Sequence, residues 1–268
     1  MVIKTSPITT LEGAFSVKGQ NVVITGGNRG IGFGIASAFA QGGANVAILC
    51  RNIESGKAAA QKLTVYGIKA YAFQADIADL ESVKNAAQKV FEVFTKIDVL
   101  VNNAAIAASV RFLEDEDLSQ WRQVAATDFH GPANVTYTFA PRIIEGGRGG
   151  SIINISSIGC QSVAGTKTHP NITYHACKAA LDNLTRSLAI EFGDYGIRVN
   201  AIAPGPTHSD LDKQLPPDAF TKIEERMPMH RFGEPLEIGA LCVFLASPAG
   251  CHITGTIIVH DGGLLCLG

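Results

Sequence analysis

The chain has 268 residues, 46% of them hydrophobic and 17% charged, enough for one large α/β domain or two small ones. A formal net charge of -2 gives no electrostatic reason to expect a nucleic-acid partner. No apolar run approaches the ~20 residues that span a bilayer, so no membrane association is expected.

The opening Met1–Glu12 has one lysine and no apolar centre, which argues against a secretory leader. Six cysteines without a CxxC or any paired spacing suit reduced thiols, hence a cytoplasmic protein. Cys266 stands third from the end, where prenylation requires the fourth position. Residues 1–17 read as a poorly ordered arm ahead of one domain over 18–268.

The first β-branched run, Asn21–Thr25, leads into Gly26-Gly27-Asn28-Arg29-Gly30-Ile31-Gly32 and then a helical pattern over Ile31–Gln41. Gly26, Gly30 and Gly32 allow a tight turn and close backbone approach. A pyrophosphate can then rest on the helix N-terminus, flanked by Asn28, Arg29 and Ile31. The spacing is Gly-x3-Gly-x-Gly rather than the commoner GxGxxG, and its weight comes from its place between a strand and a helix. The second strand, Asn45–Leu49, ends in Cys50-Arg51-Asn52. An acidic residue there would hold the ribose hydroxyls of NAD; Arg51 with Arg29 suits a 2′-phosphate instead, which favours NADP(H).

A helix over Ser55–Tyr66 and a strand over Ala70–Gln74 come next. Asp76-Ile77 then stands where it can flank the adenine, or simply cap the strand. After the helical stretch Leu80–Thr95, the strand Val99–Asn102 ends in Asn103-Ala104-Ala105, whose amides would line the cofactor. A long helical pattern over Leu118–Ile143 precedes the strand Ser151–Ile155 and the pair Ser156-Ser157. Tyr174 and Lys178, four residues apart, open a helix over Tyr174–Phe192 and share one of its faces. A phenol is a weak acid–base catalyst at neutral pH unless a neighbouring cation favours its ionised form. A serine hydroxyl at the preceding strand end can bond a substrate oxygen as charge develops.

The strand Arg198–Ala203 is followed by Pro204–Arg231, a stretch with five prolines that reads as a substrate lid at the ligand end. Its Leu211, Leu215, Phe220, Met227 and Met229 would exclude water, with His208 and Asp210 among them. A helix over Pro235–Leu245 and a strand over Thr256–Val259 complete the pattern. Seven strands alternating with helices predict a single Rossmann-type, doubly wound parallel seven-stranded sheet covered on both faces.

From Lys18 to Gly263 the chain resembles the short-chain dehydrogenase/reductase family. Thr25–Gly32 resembles its TGxxxGxG turn, Asn102–Ala105 its NNAG, and Ser157 with Tyr174 and Lys178 its catalytic serine and YxxxK. Arg198–Gly205 is similar to its sixth strand and cofactor loop, and Asp261–Gly263 to its C-terminal signature. The resemblance implies hydride transfer from NADPH to a carbonyl while Tyr174 gives the oxygen a proton, Ser157 orients it, and Lys178 holds the nicotinamide ribose and relays protons. It also implies cofactor contacts at Pro204, Gly205 and Thr207, and a homotetramer or dimer built on the apolar Leu264–Leu267 and the helices Leu118–Ile143 and Tyr174–Phe192.

Three positions depart from that pattern. Asp128, seven residues after Trp121 and three before Gly131, stands where the family has a catalytic Asn. Ala105 replaces the glycine of NNAG. Ser157 and Tyr174 are seventeen residues apart, so Gly159–Thr173 carries an insertion with Cys160, Gln161, Lys167, His169 and Asn171. Cys160, His169, His175 and Cys177 lack any ligand framework of known spacing, so no metal is expected. The function expected is NADPH-dependent reduction of a ketone to a secondary alcohol. Ketose or polyol reduction, C=C or C=N reduction in a biosynthetic pathway, and a non-enzymatic NADP(H) sensor are the alternatives, and the lid residues are compatible with both a lipophilic ketone and a polyhydroxylated ketose.

Overall fold

The computed structural model describes residues 8–106, 111–162, 171–209 and 217–267. Its strands are β1 (Asn21–Thr25), β2 (Asn45–Cys50), β3 (Ala70–Gln74), β4 (Val99–Asn102), β5 (Gly150–Ile155), β6 (Ile197–Pro204) and β7 (Ile257–His260). They form one parallel seven-stranded sheet in the order β3-β2-β1-β4-β5-β6-β7. Each lies within one residue of the run expected from the sequence. These runs are legible because helices cover both faces. Val22 and Ile24 point into one core with Ile35, Phe39, Ile238 and Leu245, while Val23 between them enters the other with Val83, Val90, Val135 and Phe139. A strand apolar on both faces has no polar alternation to blur it.

The helices are α1 (Leu11–Ala14), α2 (Gly30–Gln41), α3 (Ile53–Leu63), α4 (Leu80–Val93), α5 (Ser119–Ala125), α6 (Gly131–Glu145), α7 (Ile172–Glu191), α8 (Pro217–Arg226) and α9 (Pro235–Ala246). The α2–α9 contact is backbone-close. A Cβ on Gly34 would fall 2.4 Å from the Pro235 carbonyl carbon, and one on Gly239 would fall 2.7 Å from the Gly34 oxygen. Larger residues at either position would push apart the helix that begins at the glycine turn. No described helix is long and apolar enough to cross a membrane.

Two expectations need correction. The segment before Lys18 is not wholly a loose arm: the Thr10 hydroxyl caps α1 by accepting the Gly13 N–H at 3.1 Å, and Ala14 and Val17 are buried. Four helical residues are too few to show a period, so the sequence carried no sign of it. The single helix expected over Leu118–Ile143 is interrupted: α5 and α6 are joined by a five-residue π-helical segment, Ala126–His130. A π turn adds one residue to the helix without breaking the chain's direction. The lid stretch contains α8, whose Phe220 stacks on Phe232 at 4.6 Å, with His208 5.4 Å from Phe232. Of the methionines expected to exclude water, Met227 is buried against Gly262 and Met229 is exposed.

Candidate active site

Crossing from β1 outward in both directions leaves a crevice beyond the carboxyl ends of β1 and β4, where open α/β sheets take their ligands. The turn from Gly26 to Gly32 lies there. Gly26 and Gly30 adopt φ of 67° and 51°, in the left-handed region that glycine enters without strain. The N-terminus of α2 has no side-chain cap and no acidic residue in its first turn. Among the described residues, a Cβ on Gly30 would meet only Ser209 Cβ, at 3.7 Å. A helix N-terminus without a side-chain cap or an acidic residue fits the pyrophosphate of a dinucleotide.

Arg29 and Arg51 are both exposed, one on the turn and one just past β2. Arg51 borders a hollow of about 470 Å³ that is also lined by Gln74, Asp76, Ser82 and Lys89. Several expected contacts are committed within the chain. The Asn52 side chain caps α3 by accepting the Ser55 N–H at 3.0 Å, and Asn28 Nδ2 donates to the Ser55 hydroxyl at 2.9 Å. Asp76 Oδ1 accepts the Ala78 N–H, and buried Ile77 packs beneath Gly131. Asn103 Nδ2 donates to the Thr25 and Gly26 carbonyls at 2.9 and 3.3 Å, while the Asn103 and Ala104 N–H groups donate to the Thr25 hydroxyl. These four bonds brace the glycine turn from β4. Beyond β6, Gly205 donates its N–H to the His260 carbonyl, and Thr207 bonds the Gly205 carbonyl at 3.0 Å. Pro204, Gly205 and Thr207 therefore sit at the same end of the sheet as the turn.

The candidate chemical groups gather past β5. Lys178 is only 2% exposed, donates to the Ile155 carbonyl at 2.8 Å, and holds Nζ 5.4 Å from the Tyr174 ring centre. Ser156 is buried and its hydroxyl faces inward, to the Lys178 carbonyl at 3.5 Å. Ser157 is partly exposed and accepts the Gly159 N–H at 3.1 Å. Of the two serines, Ser157 is the one left reachable. Below them, Asn102 Nδ2 bonds Asn154 and Thr136, and Asn154 Nδ2 bonds Thr185, tying β4, β5, α6 and α7 together. This buried strut was not identified from the sequence, although two asparagines inside apolar strand runs were its signal. Ala105 is exposed. Trp121 packs edge-on against Phe112 at 5.7 Å. Lys167, His169, Asp210, Leu211 and Leu215 lie outside the described residues. Among those described, no group of three or more His, Cys, Asp or Glu side chains is placed to hold a metal ion.

Asp128 sits in the π segment and is fully buried. Its Oδ1 accepts the Ile106 N–H at 2.8 Å, and its Oδ2 has no described partner. Burial lifts this carboxyl to about 6, against the opposing pull of the Lys178 charge and the Ile106 N–H. A carboxyl raised above its unfolded value near 4 binds more protons folded than unfolded. Its stabilising contribution is therefore complete below about pH 4 and is lost as pH rises through about 6. Asp128→Asn should abolish a decline of up to about 3 kcal/mol between those limits. Melting temperatures of wild type and variant across pH 4–7 test this: parallel curves would mean the carboxyl titrates normally.

A family model described as enoyl-(acyl carrier protein) reductase matches residues 26–265. The peroxisomal 2,4-dienoyl-CoA reductase of Arabidopsis thaliana is 37% identical over 261 residues, covering 92% of this chain and 85% of that protein. The L-rhamnose 1-dehydrogenase (NAD(P)+) of Azotobacter vinelandii is 36% identical over 251 residues, covering 91% and 96%. Among solved structures, a gluconate 5-dehydrogenase from Burkholderia cenocepacia in complex with NADP and tartrate superposes with a TM-score of 0.88 at 29% identity, covering 96% of this chain and 99% of that one.

Proposed function

Because the chain belongs to the short-chain dehydrogenase/reductase family of NAD(P)-dependent oxidoreductases, we propose that it reduces a ketone to a secondary alcohol with NADPH. The observation that carries this reading is buried Lys178, bonded to Ile155 two residues before Ser157 and 5.4 Å from the Tyr174 ring, at the same end of the sheet as the braced glycine turn. In this reading the turn from Gly26 to Gly32 takes the pyrophosphate, Arg29 and Arg51 the 2′-phosphate, and Asp76-Ile77 the adenine end. Pro204, Gly205 and Thr207 border the nicotinamide, and residues 204–231 close over the substrate. NADP is the ligand of the gluconate 5-dehydrogenase structure, which supports the cofactor assignment.

When bound, NADPH supplies the hydride equivalent that the carbonyl carbon takes up. Ser157 holds the substrate oxygen through its hydroxyl, a donor placed where negative charge grows. Tyr174 gives that oxygen its phenolic proton, so the C=O bond becomes C–OH and the phenol is left ionised. Lys178, its ammonium fixed by the Ile155 carbonyl, stabilises the ionised ring and returns a proton to it. Asp128 lies behind Lys178, in place of a neutral amide.

A ketose or sugar-derived ketone is a second reading of the same site. The rhamnose and gluconate dehydrogenases support it, as the dienoyl-CoA reductase supports C=C reduction. Monitoring NADPH absorbance with ketoses, diketones, aromatic ketones and enoyl thioesters decides among these; no oxidation of NADPH across the panel would overturn the reductase reading. We also infer a homotetramer or dimer of cytoplasmic location. Exposed Tyr137 on α6 and Ile190 on α7 support helix-mediated assembly.

The cofactor assignment has its own test. Arg51→Ala should weaken NADPH binding roughly thirtyfold, because a charged hydrogen bond to phosphate is worth about 2 kcal/mol. NADH binding should change by less than about twofold, since it has no 2′-phosphate for the guanidinium to meet. Equal losses for both nucleotides, measured by fluorescence titration, would remove Arg51 from the phosphate site.

A further inference from the structure

Tyr174, Lys178 and Asp182 follow one another at four-residue intervals on α7 and so share one face. The last of them is not part of the proposed chemistry, yet it is a carboxylate only 6% exposed. Its Oδ1 has no described hydrogen-bond partner, and its Oδ2 takes the Cys160 thiol at 3.0 Å. The same sulfur lies 2.8 Å from the Ser157 carbonyl oxygen and accepts the Ser156 hydroxyl at 3.8 Å. Cys160 thus stands between the turn after β5 and the helix that carries Tyr174.

We propose that Cys160 and Asp182 are positioning residues, which fasten the turn bearing Ser157 to the helix bearing Tyr174 and Lys178 and so set the gap that holds the substrate oxygen. The proposal rests on the roles given above to Ser157 and Tyr174. A thiol is a weak donor, and it gains strength when its acceptor is charged. Burial, and then the Asp182 carboxylate, push the Cys160 thiol up to about 11, so at neutral pH the sulfur keeps the proton it shares with the carboxylate. That makes Cys160 a tether rather than a nucleophile. An angstrom of misplacement at a reacting centre costs about a hundredfold in rate, so a tether that controls a fraction of that distance has a kinetic signature.

Cys160→Ala removes the donor, Cys160→Ser keeps one, and Asp182→Asn removes the charge. The proposal expects kcat about tenfold lower in Cys160→Ala, with NADPH affinity within about twofold of wild type and recovery in Cys160→Ser to within about threefold. Asp182→Asn should resemble Cys160→Ala, and the double variant should be no worse than either alone. A readout independent of turnover is alkylation of Cys160 by iodoacetamide, followed by peptide mass spectrometry against pH. Its midpoint should fall by about one pH unit or more in Asp182→Asn. Wild-type kcat in Cys160→Ala, or equal losses in the alanine and serine variants, would overturn the positioning role. An unchanged alkylation midpoint in Asp182→Asn would overturn the Cys160–Asp182 contact. Should no carbonyl compound be turned over, the reductase reading fails, while the alkylation result still decides the contact.

Discussion

Replacing Tyr174 with phenylalanine is expected to lower kcat about 10³-fold, within the range that a positioned general acid contributes. The change deletes one oxygen and keeps the ring, so the contact between that ring and Lys178 Nζ at 5.4 Å persists. Lys178 should stay where it is, because the Ile155 carbonyl holds it independently of the phenol. The loss should therefore fall on kcat, with NADPH affinity changed by no more than a few-fold. Single-turnover decay of NADPH absorbance, with cofactor binding measured separately by fluorescence, distinguishes the two. Turnover equal to wild type would strip Tyr174 of its role as proton donor, and a loss confined to affinity would make it a binding residue only.

The second large effect belongs to Gly32. A Cβ there would stand 2.1 Å from the Gly26 carbonyl oxygen and 2.5 Å from Asn103 Nδ2. The obstacle is largely backbone, which cannot rotate away as a long side chain can. Gly32→Ala must open the turn or displace Asn103, and with it the bonds that Asn103 makes to the Thr25 and Gly26 carbonyls. Overpacking of this kind costs about 1–3 kcal/mol in stability. The turn's shape is also the proposed phosphate seat, so NADPH affinity should drop about a hundredfold or more. Gly193→Ala is the control, since no heavy atom of the described residues lies within 4 Å of its would-be Cβ. Calorimetric melting and NADPH titration should separate the two variants. Unaltered NADPH binding in Gly32→Ala would mean that the turn is not the cradle.

The legible part of this molecule was its periodicity. The strands were visible as short apolar runs, the five inner ones buried on both sides and the edge strands β3 and β7 partly so, and the glycine turn was visible because its residue types serve a local need. The π segment was not, because one extra residue leaves the apolar pattern of a helix almost unchanged over so short a span. Residues were easier to place than to employ. Asn52, Asn103 and Asp76 were expected to contact a cofactor, and their side chains are engaged with the chain itself. Partner identity at such positions depends on rotamer and distance, which spacing does not encode. Asp128 was noticed only as a departure from a familiar pattern; its full burial and its unpartnered oxygen required the fold. The same holds for Cys160 and Asp182, whose contact spans 22 residues of sequence.

The brace on the glycine turn also bears on the order in which this protein is made. The four hydrogen bonds from Asn103 and Ala104 to Thr25 and Gly26 span 77 to 79 residues. During synthesis the turn therefore emerges long before the residues after β4 that brace it. A nascent chain that ends before β4 has every glycine of the turn, and its bonds to Leu49 and Ser55, but not the brace from Asn103 and Ala104. Pairings of such long range form late in folding. The seat is thus among the last parts to mature, and a dinucleotide that binds only the finished form adds its binding free energy to that form alone. If the turn takes the nucleotide as proposed, a larger supply of nucleotide is expected to raise the share of newly made chains that stays folded.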